Sequence, residues 1–284
     1  MVKNSIRNGI IGAGLAALTL SGCGTDSTAS TQKNSSSNND SHHEEKAYQS
    51  THKTDTSNKD KKQDQSSQSN DKNKENNIPT SANGNKVTVV SNPKSILVLV
   101  NKTHKLPDGY TPPDLTIPHV KFPYDGTYEK MHLRKPAAVA LEKMFKGAEK
   151  QGITLYAQSG YRSYDRQKAI FATNVQQQGK KQASIVSAEP GTSEHQTGLA
   201  MDISSQDAEF RLDQDFGDTK EGKWVAQHCA DYGFIIRYPK GKDKEKITGY
   251  EYEPWHIRYV GKKAAEYIMG HHITLEQYLA KNQK

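Results

Sequence analysis

The sequence predicts an α+β domain, a small antiparallel sheet with flanking helices, preceded by a disordered tether. Three observations predict it. Nearly all apolar side chains fall in the first 22 and the last 199 of the 284 residues. Within the C-terminal part, helical patterns come first and later strands follow with short connections, which favours a segregated α+β architecture. Polar side chains gather there in two tight clusters, Ser193–Asp202 and Glu253–His256. The chain is about twice the size of one domain, but its apolar residues suffice for a single core of ~200 residues. The expected organisation is therefore a leader over 1–22, a tether over 23–85 and one folded domain over 86–284.

The leader has a charged start (Lys3, Arg7) and an apolar stretch from Ile10 to Leu20. That stretch is short for a membrane span and suits a signal-peptide core. Leu20-Ser21-Gly22-Cys23 resembles the bacterial lipobox. The resemblance implies cleavage before Cys23, lipidation of its sulfur and a membrane anchor there; an uncleaved anchor or a chance Cys is the plainer alternative. Residues 24–85 hold eight Lys and nine acidic residues amid Ser, Asn, Thr and Gln. Such a segment cannot bury enough surface to offset ordering its backbone. A flexible chain of ~60 residues spans roughly 40–45 Å. His42 and His43 lie in it and read as a solvated pair.

The net charge is +7, of which the leader contributes +2 and the tether −1, leaving +6 on the folded part. A basic balance suits an anionic polymer, a membrane surface or nucleic acid, or is ordinary surface scatter. No Lys/Arg-rich run with interleaved aromatics occurs, so nucleic acid is not an expected partner. Cys229 reads as a small buried hydrophobe. With Cys23 lipidated, no disulfide can form within the chain.

Taken in order, Ile96–Val100 reads as a strand or buried extended segment, and the Pro- and Asp-dense 106–123 as a loop. Leu133–Gln151 reads as a helix, with Pro136 near its start, a stripe from Ala137 to Phe145, and Gly152 as its stop. Ile153–Gln158 suits a strand. Tyr164–Gln178 suits a helix capped by Ser163 with Asp165 in its first turn, and Ala183–Ala188 a short second one. Strands follow at Leu199–Ile203, Phe234–Tyr238 and Trp255–Val260. A helix over Glu221–Tyr232 and a charged turn over Pro239–Lys246 lie between them. Lys262–Met269 and Leu275–Lys281 read as terminal helices.

The two polar clusters carry the chemistry. Hydrolytic zinc is usually held by three protein groups with a fourth position left for water. His195, Asp202 and His256 could be those groups if their strands pair, which would put the site on sheet and loop. Pro254 favours an extended backbone at Glu253, so that Glu253 can lie over the metal and act as general base and acid. Arg162 follows a strand at a turn containing Gly160 and can bind a carboxylate or an oxyanion. Gln167 would lie near the same mouth. Ser193 flanks His195, Tyr238 ends a strand, and Trp255 packs beside the metal or in the core. Taken singly, each has an ordinary structural reading; the grouping gives them weight.

Ser159-Gly-Tyr-Arg-Ser163, the Ser-x-His-x-x-Gly-x-Ala-x-Asp pattern of 193–202, and Gly249-Tyr-Glu-Tyr-Glu-Pro-Trp-His256 resemble the VanY-type D-alanyl-D-alanine carboxypeptidases. These belong to the M15 zinc peptidases, whose relatives include cell-wall L,D-carboxypeptidases. The resemblance spans roughly residues 95–261. It implies zinc on His195, Asp202 and His256, catalysis by Glu253 and Arg162, and substrate contacts from Gln167, Ser193 and Tyr238. It further implies peptidoglycan stem peptides as substrate. The lipobox independently supports an extracytoplasmic lipoprotein, and a monomer is expected. The D,D reaction comes first in this reading, with L,D close behind. A peptidoglycan endopeptidase and a non-catalytic wall-binding lipoprotein are the alternatives.

Overall fold

Strand side chains point alternately to opposite faces of a sheet, and here both faces are buried. The computed structural model describes residues 86–282, which fall in one compact unit. The leader, Cys23 and the tether lie outside the described residues. The strands are β1 (Thr88–Val89), β2 (His104–Lys105), β3 (Leu115–Thr116), β4 (Leu133–Arg134), β5 (Tyr156–Ser159), β6 (Ala200–Ser204), β7 (Phe234–Tyr238) and β8 (Glu253–Tyr259). The last four form the main sheet, in the order β5-β6-β8-β7 and antiparallel throughout.

Register decides which side chains share a face. Met201 lies opposite Ile257 and Ala157 opposite Ile203. These four belong to the main apolar core. Between them, Asp202 lies opposite His256 and Ala200 opposite Arg258. That second face carries the polar groups. Register shifts between Ala157 and Ser159, and between Ile236 and Tyr238, mark irregularities in the two outer strands. Such bulges re-aim the chain leaving a strand, and here they precede Arg162 and Tyr238.

The core face is covered by helix α1 (Lys135–Glu149), which buries Ala137, Ala138, Ala140, Leu141, Met144 and Ala148. That spacing of three and four is one stripe of a helix. Pro136 sits in its first turn, where no intrahelical N–H bond is lost. Helix α2 (Tyr164–Val186) starts from Ser163, whose Oγ accepts the N–H of Arg166 at 3.3 Å. Gly179, at φ 79°, interrupts it, so the two expected helices run on across a break. Helix α3 (Lys220–His228) passes into a 3-10 turn at Cys229–Tyr232, which buries Cys229. Helices α5 (Lys262–Gly270) and α6 (Leu275–Asn282) close a second cluster around Ile235 and Val260. Among the described residues, no helix is long and apolar enough to cross a membrane.

Two expectations are sharpened. Of the two readings of Ile96–Val100, strand or buried extended segment, the strand does not form; the chain turns at Ile96–Leu97 and buries Val98 and Val100, while the carbonyls of Ile96 and Val98 accept from Arg258. Its apolar run serves burial and a buried guanidinium, not a ladder. The charged segment after Pro239 is not only a turn but helix α4 (Lys242–Thr248), bounded by Gly241 and Gly249.

Candidate metal centre and active site

Pairing of β6 with β8 sets Asp202 directly against His256. His195 comes from a 3-10 turn, Glu194–Thr197, that ends at Gly198 with φ 65°. A Cβ on Gly198 would lie 2.9 Å from Leu115 Cδ2 and 3.0 Å from Arg134 Cγ, so only glycine suits both the conformation and the space. Gly160 is similarly confined, since a Cβ there would meet the His132 carbonyl at 2.5 Å.

The carbonyl of Gly160 accepts from His195 Nδ1 at 2.8 Å. A carbonyl can only accept, so Nδ1 carries the proton and Nε2 presents its lone pair. That Nε2 lies 3.4 Å from Asp202 Oδ2. On the other side, His256 Nδ1 lies 2.9 Å from Asp202 Oδ1. One donor atom from each of the three residues falls within 4.8 Å of the others, and all three residues are buried. Bonds of about 2.1 Å to a tetrahedral zinc put ligand atoms roughly 3.4 Å apart. The donor set and its spacing thus fit the ion.

The charges fit as well. Burial pulls His195 down to about 4, against the attraction of Asp202 and helped by Arg162 and His256. It is therefore a neutral donor at neutral pH. Burial also disfavours the charge on His256, but its bond to Asp202 and the nearby Glu194 carboxylate outweigh that and hold it up at about 10. A metal would take the place of the proton on its Nδ1. Glu253 begins β8, with Oε2 4.0 Å from His256 Nδ1. Burial, with Asp202 and Glu194 nearby, pushes Glu253 up to about 7 against the pull of His256.

Arg162 lies close enough for its charge to act on both His195 and Asp202, and its backbone N–H donates to the His195 carbonyl at 3.2 Å. Gln167 is 1% exposed. Its Oε1 accepts from Arg162 Nη1 at 3.0 Å, while Nε2 donates to Ala188 O at 2.7 Å and Ser187 Oγ at 3.3 Å. Gln167 thus orients Arg162. Ser193 is buried beside His195. The ring of Tyr238 lies 5.0 Å from that of His256 and stacks on Tyr250 at 4.4 Å. Trp255 packs against the main core.

Sequence reasoning missed the acid between Ser193 and His195. Glu194 Oε1 accepts from Arg237 Nε and Arg258 Nη1, both at 2.7 Å, and all three side chains are 0% exposed. Arg237 also grips Glu276, with Nη2 on Oε1 at 2.7 Å and Nη1 on Oε2 at 3.1 Å. The two arginines outweigh the cost of burial and hold Glu194 far below the carboxylate range. A signal was available: Arg237 stands inside a strand otherwise made of apolar and aromatic residues, and Arg258 stands between Ile257 and Tyr259.

Two His and one Asp with an elevated carboxyl beside them, on an α+β sheet, make a candidate site of the metallohydrolase type. The family model for VanY, D-alanyl-D-alanine carboxypeptidase, matches residues 130–262. The putative carboxypeptidase YodJ of Bacillus subtilis (strain 168) is 55% identical over 195 residues, covering 69% of this chain and 71% of the relative. The bifunctional D-Ala-D-Ala dipeptidase and carboxypeptidase VanXYC of Enterococcus gallinarum is 33% identical, over 64% of this chain and 92% of that one. Among solved structures, the LdcB LD-carboxypeptidase superposes with a TM-score of 0.67 at 54% identity, over 69% of this chain and 91% of LdcB. A mutant of the vancomycin resistance D,D-pentapeptidase VanY, in complex with Zn(II), gives 0.51 at 32% identity, over 64% and 98%. The chain belongs to the VanY family of D-alanyl-D-alanine carboxypeptidases, and with that to the peptidases.

Proposed function

We propose that this protein is a zinc-dependent carboxypeptidase that removes the C-terminal D-alanine from peptidoglycan stem peptides during cell-wall remodelling. It would work outside the cell membrane as a lipoprotein held through Cys23. The observation that carries the reading is the triad of His195, Asp202 and His256 with Glu253 raised to about 7 beside it. A bound zinc supplies a Lewis acid and makes water a usable nucleophile near neutral pH.

The chain's own residues do the rest. A carboxyl that titrates near 7 can take a proton from the attacking water and return it to the leaving amine, so Glu253 is the general base and then the acid. Arg162, held by Gln167, offers N–H groups to the oxygen on which negative charge develops. Ser193, buried beside His195, and Tyr238, whose ring lies 5.0 Å from that of His256, would hold the substrate's C-terminal residue. Gln167 acts through Arg162.

The preceding residue of the substrate decides between the D,D and L,D reactions. The likeness to LdcB, at 54% identity against 32% for the D,D-pentapeptidase, moves the L,D reaction on tetrapeptides ahead of the D,D reaction on pentapeptides. Defined tetra- and pentapeptide muropeptides, digested and weighed by mass spectrometry, test both. Loss of one alanine from the tetrapeptide is the expected result. Internal fragments would replace the carboxypeptidase by an endopeptidase, and no digestion at all would favour a wall-binding module.

A further inference from the structure

The Glu194 carboxylate spends only half of itself on the arginines. Oε1 takes both short bonds, while Oε2 is buried without a hydrogen bond and lies 3.5 Å from His256 Nε2. That Nε2 is equally buried and equally without a bond. Two complementary polar atoms, each lacking any other partner, face each other across a gap slightly longer than a hydrogen bond. Buried polar groups are seldom left so, because each carries a desolvation cost.

Resting on the zinc reading above, we propose that Glu194 is a positioning residue for the metal centre: its Oε2 holds the proton of His256 on Nε2, which turns the lone pair of Nδ1 toward Asp202 and the metal. Imidazoles that ligate metals commonly give their other N–H to a carboxylate or carbonyl, which sets tautomer and ring orientation. His195 has this arrangement in mirror sense, with Nδ1–H on the Gly160 carbonyl and Nε2 inward. The two histidines therefore need opposite tautomers, and each has an acceptor of its own to select it.

The arginines explain why Glu194 can do this. A carboxylate free to rotate would select nothing. Arg237 reaches it with Nε while its two terminal nitrogens hold Glu276. Arg258 reaches it with Nη1 while Nη2 holds the carbonyls of Ile96 and Val98. Each guanidinium is planar and rigid, so Oε1 is pinned from two directions and Oε2 has one way to point.

Glu194→Gln and Glu276→Gln separate positioning from mere neutralisation of the arginines. A glutamine at 194 can still accept from both arginines through its oxygen, but then its NH2 faces Nε2 and favours the proton on Nδ1, the wrong tautomer. Zinc affinity, measured against a chromophoric chelator, should fall 10–100-fold in Glu194→Gln and little in Glu276→Gln, with melting of the metal-free forms checking that both fold. Equal affinities in wild type and Glu194→Gln overturn the proposal while leaving the zinc reading intact. A wild type that binds no zinc removes the zinc reading itself. Nitrogen-15 spectra of zinc-loaded wild type need no variant: His256 should show metal on Nδ1 and a proton on Nε2, and the reverse assignment overturns the proposal.

Discussion

The two faces of the main sheet use the same strands for opposite purposes. Along β6, Met201 and Ile203 turn to the apolar core, while Asp202 between them turns to the candidate metal centre. Along β8, Ile257 goes to the core and His256 and Arg258 to the other side. Both faces are buried, so the difference is not one of water against oil. The core face is held by non-directional burial of apolar area. The site face is held by directed bonds among charged groups, which are worth having only when every partner is present. A strand built this way tolerates approximate packing on one side and needs defined geometry on the other.

Mutations on each face should separate the two. The largest effect is expected from His195→Ala, which removes a ligand: zinc should be lost along with turnover, and full metal occupancy by elemental analysis would strike His195 from the ligand set. Glu253→Gln should keep its zinc yet lose roughly 10²- to 10⁴-fold in turnover, the usual worth of a positioned acid–base group. On the core face, Leu141→Ala should cost about 2–5 kcal/mol in denaturant unfolding, with turnover per folded molecule unchanged. If instead Leu141→Ala lowered zinc affinity as much as stability, the two faces would not be separable.

The smallest effect carries a sign that sharpens the comparison. In metal-free protein, burial lifts Glu253 from its ordinary 4.5 to about 7. A carboxyl that binds its proton more tightly when folded favours the fold below the unfolded value. That contribution fades as pH climbs from the unfolded value through the folded one. Glu253→Gln, neutral at every pH, should therefore gain melting temperature over wild type at pH 8 and show little gain at pH 4. A gain at pH 4 that vanished at pH 8 would reverse the assignment. The acid proposed to serve the reaction is thus a burden on the fold above pH 7.

Much of the site could be read from the chain because its parts are short in sequence. Ser193–Asp202 and Glu253–His256 each hold their ligands within a few residues, and strand alternation then brings Asp202 to His256. The network behind them could not be read that way. Glu194 is met by Arg237 and Arg258, and Arg237 in turn by Glu276, residues 39 to 64 apart in the individual bonds, and no local pattern links them. An Arg alternating with apolar neighbours looks like a surface residue until both faces of the sheet are seen to be covered. Ile96–Val100 misled for a related reason, since its composition suits a strand while its carbonyls are claimed by a distant guanidinium. The short helix α4 has few buried residues to reveal it, and its bounding glycines read equally well as a turn.

The tie between Arg237 and Glu276 also bears on the order in which the molecule is made. Helix α6 is the last described helix to leave the ribosome, yet its first-turn acid secures one of the two arginines that pin Glu194. All three metal ligands and Glu253 emerge before it. The clamp behind His256 therefore lacks one anchor until α6 docks, so the closing helix supports the candidate centre as well as covering the second apolar cluster.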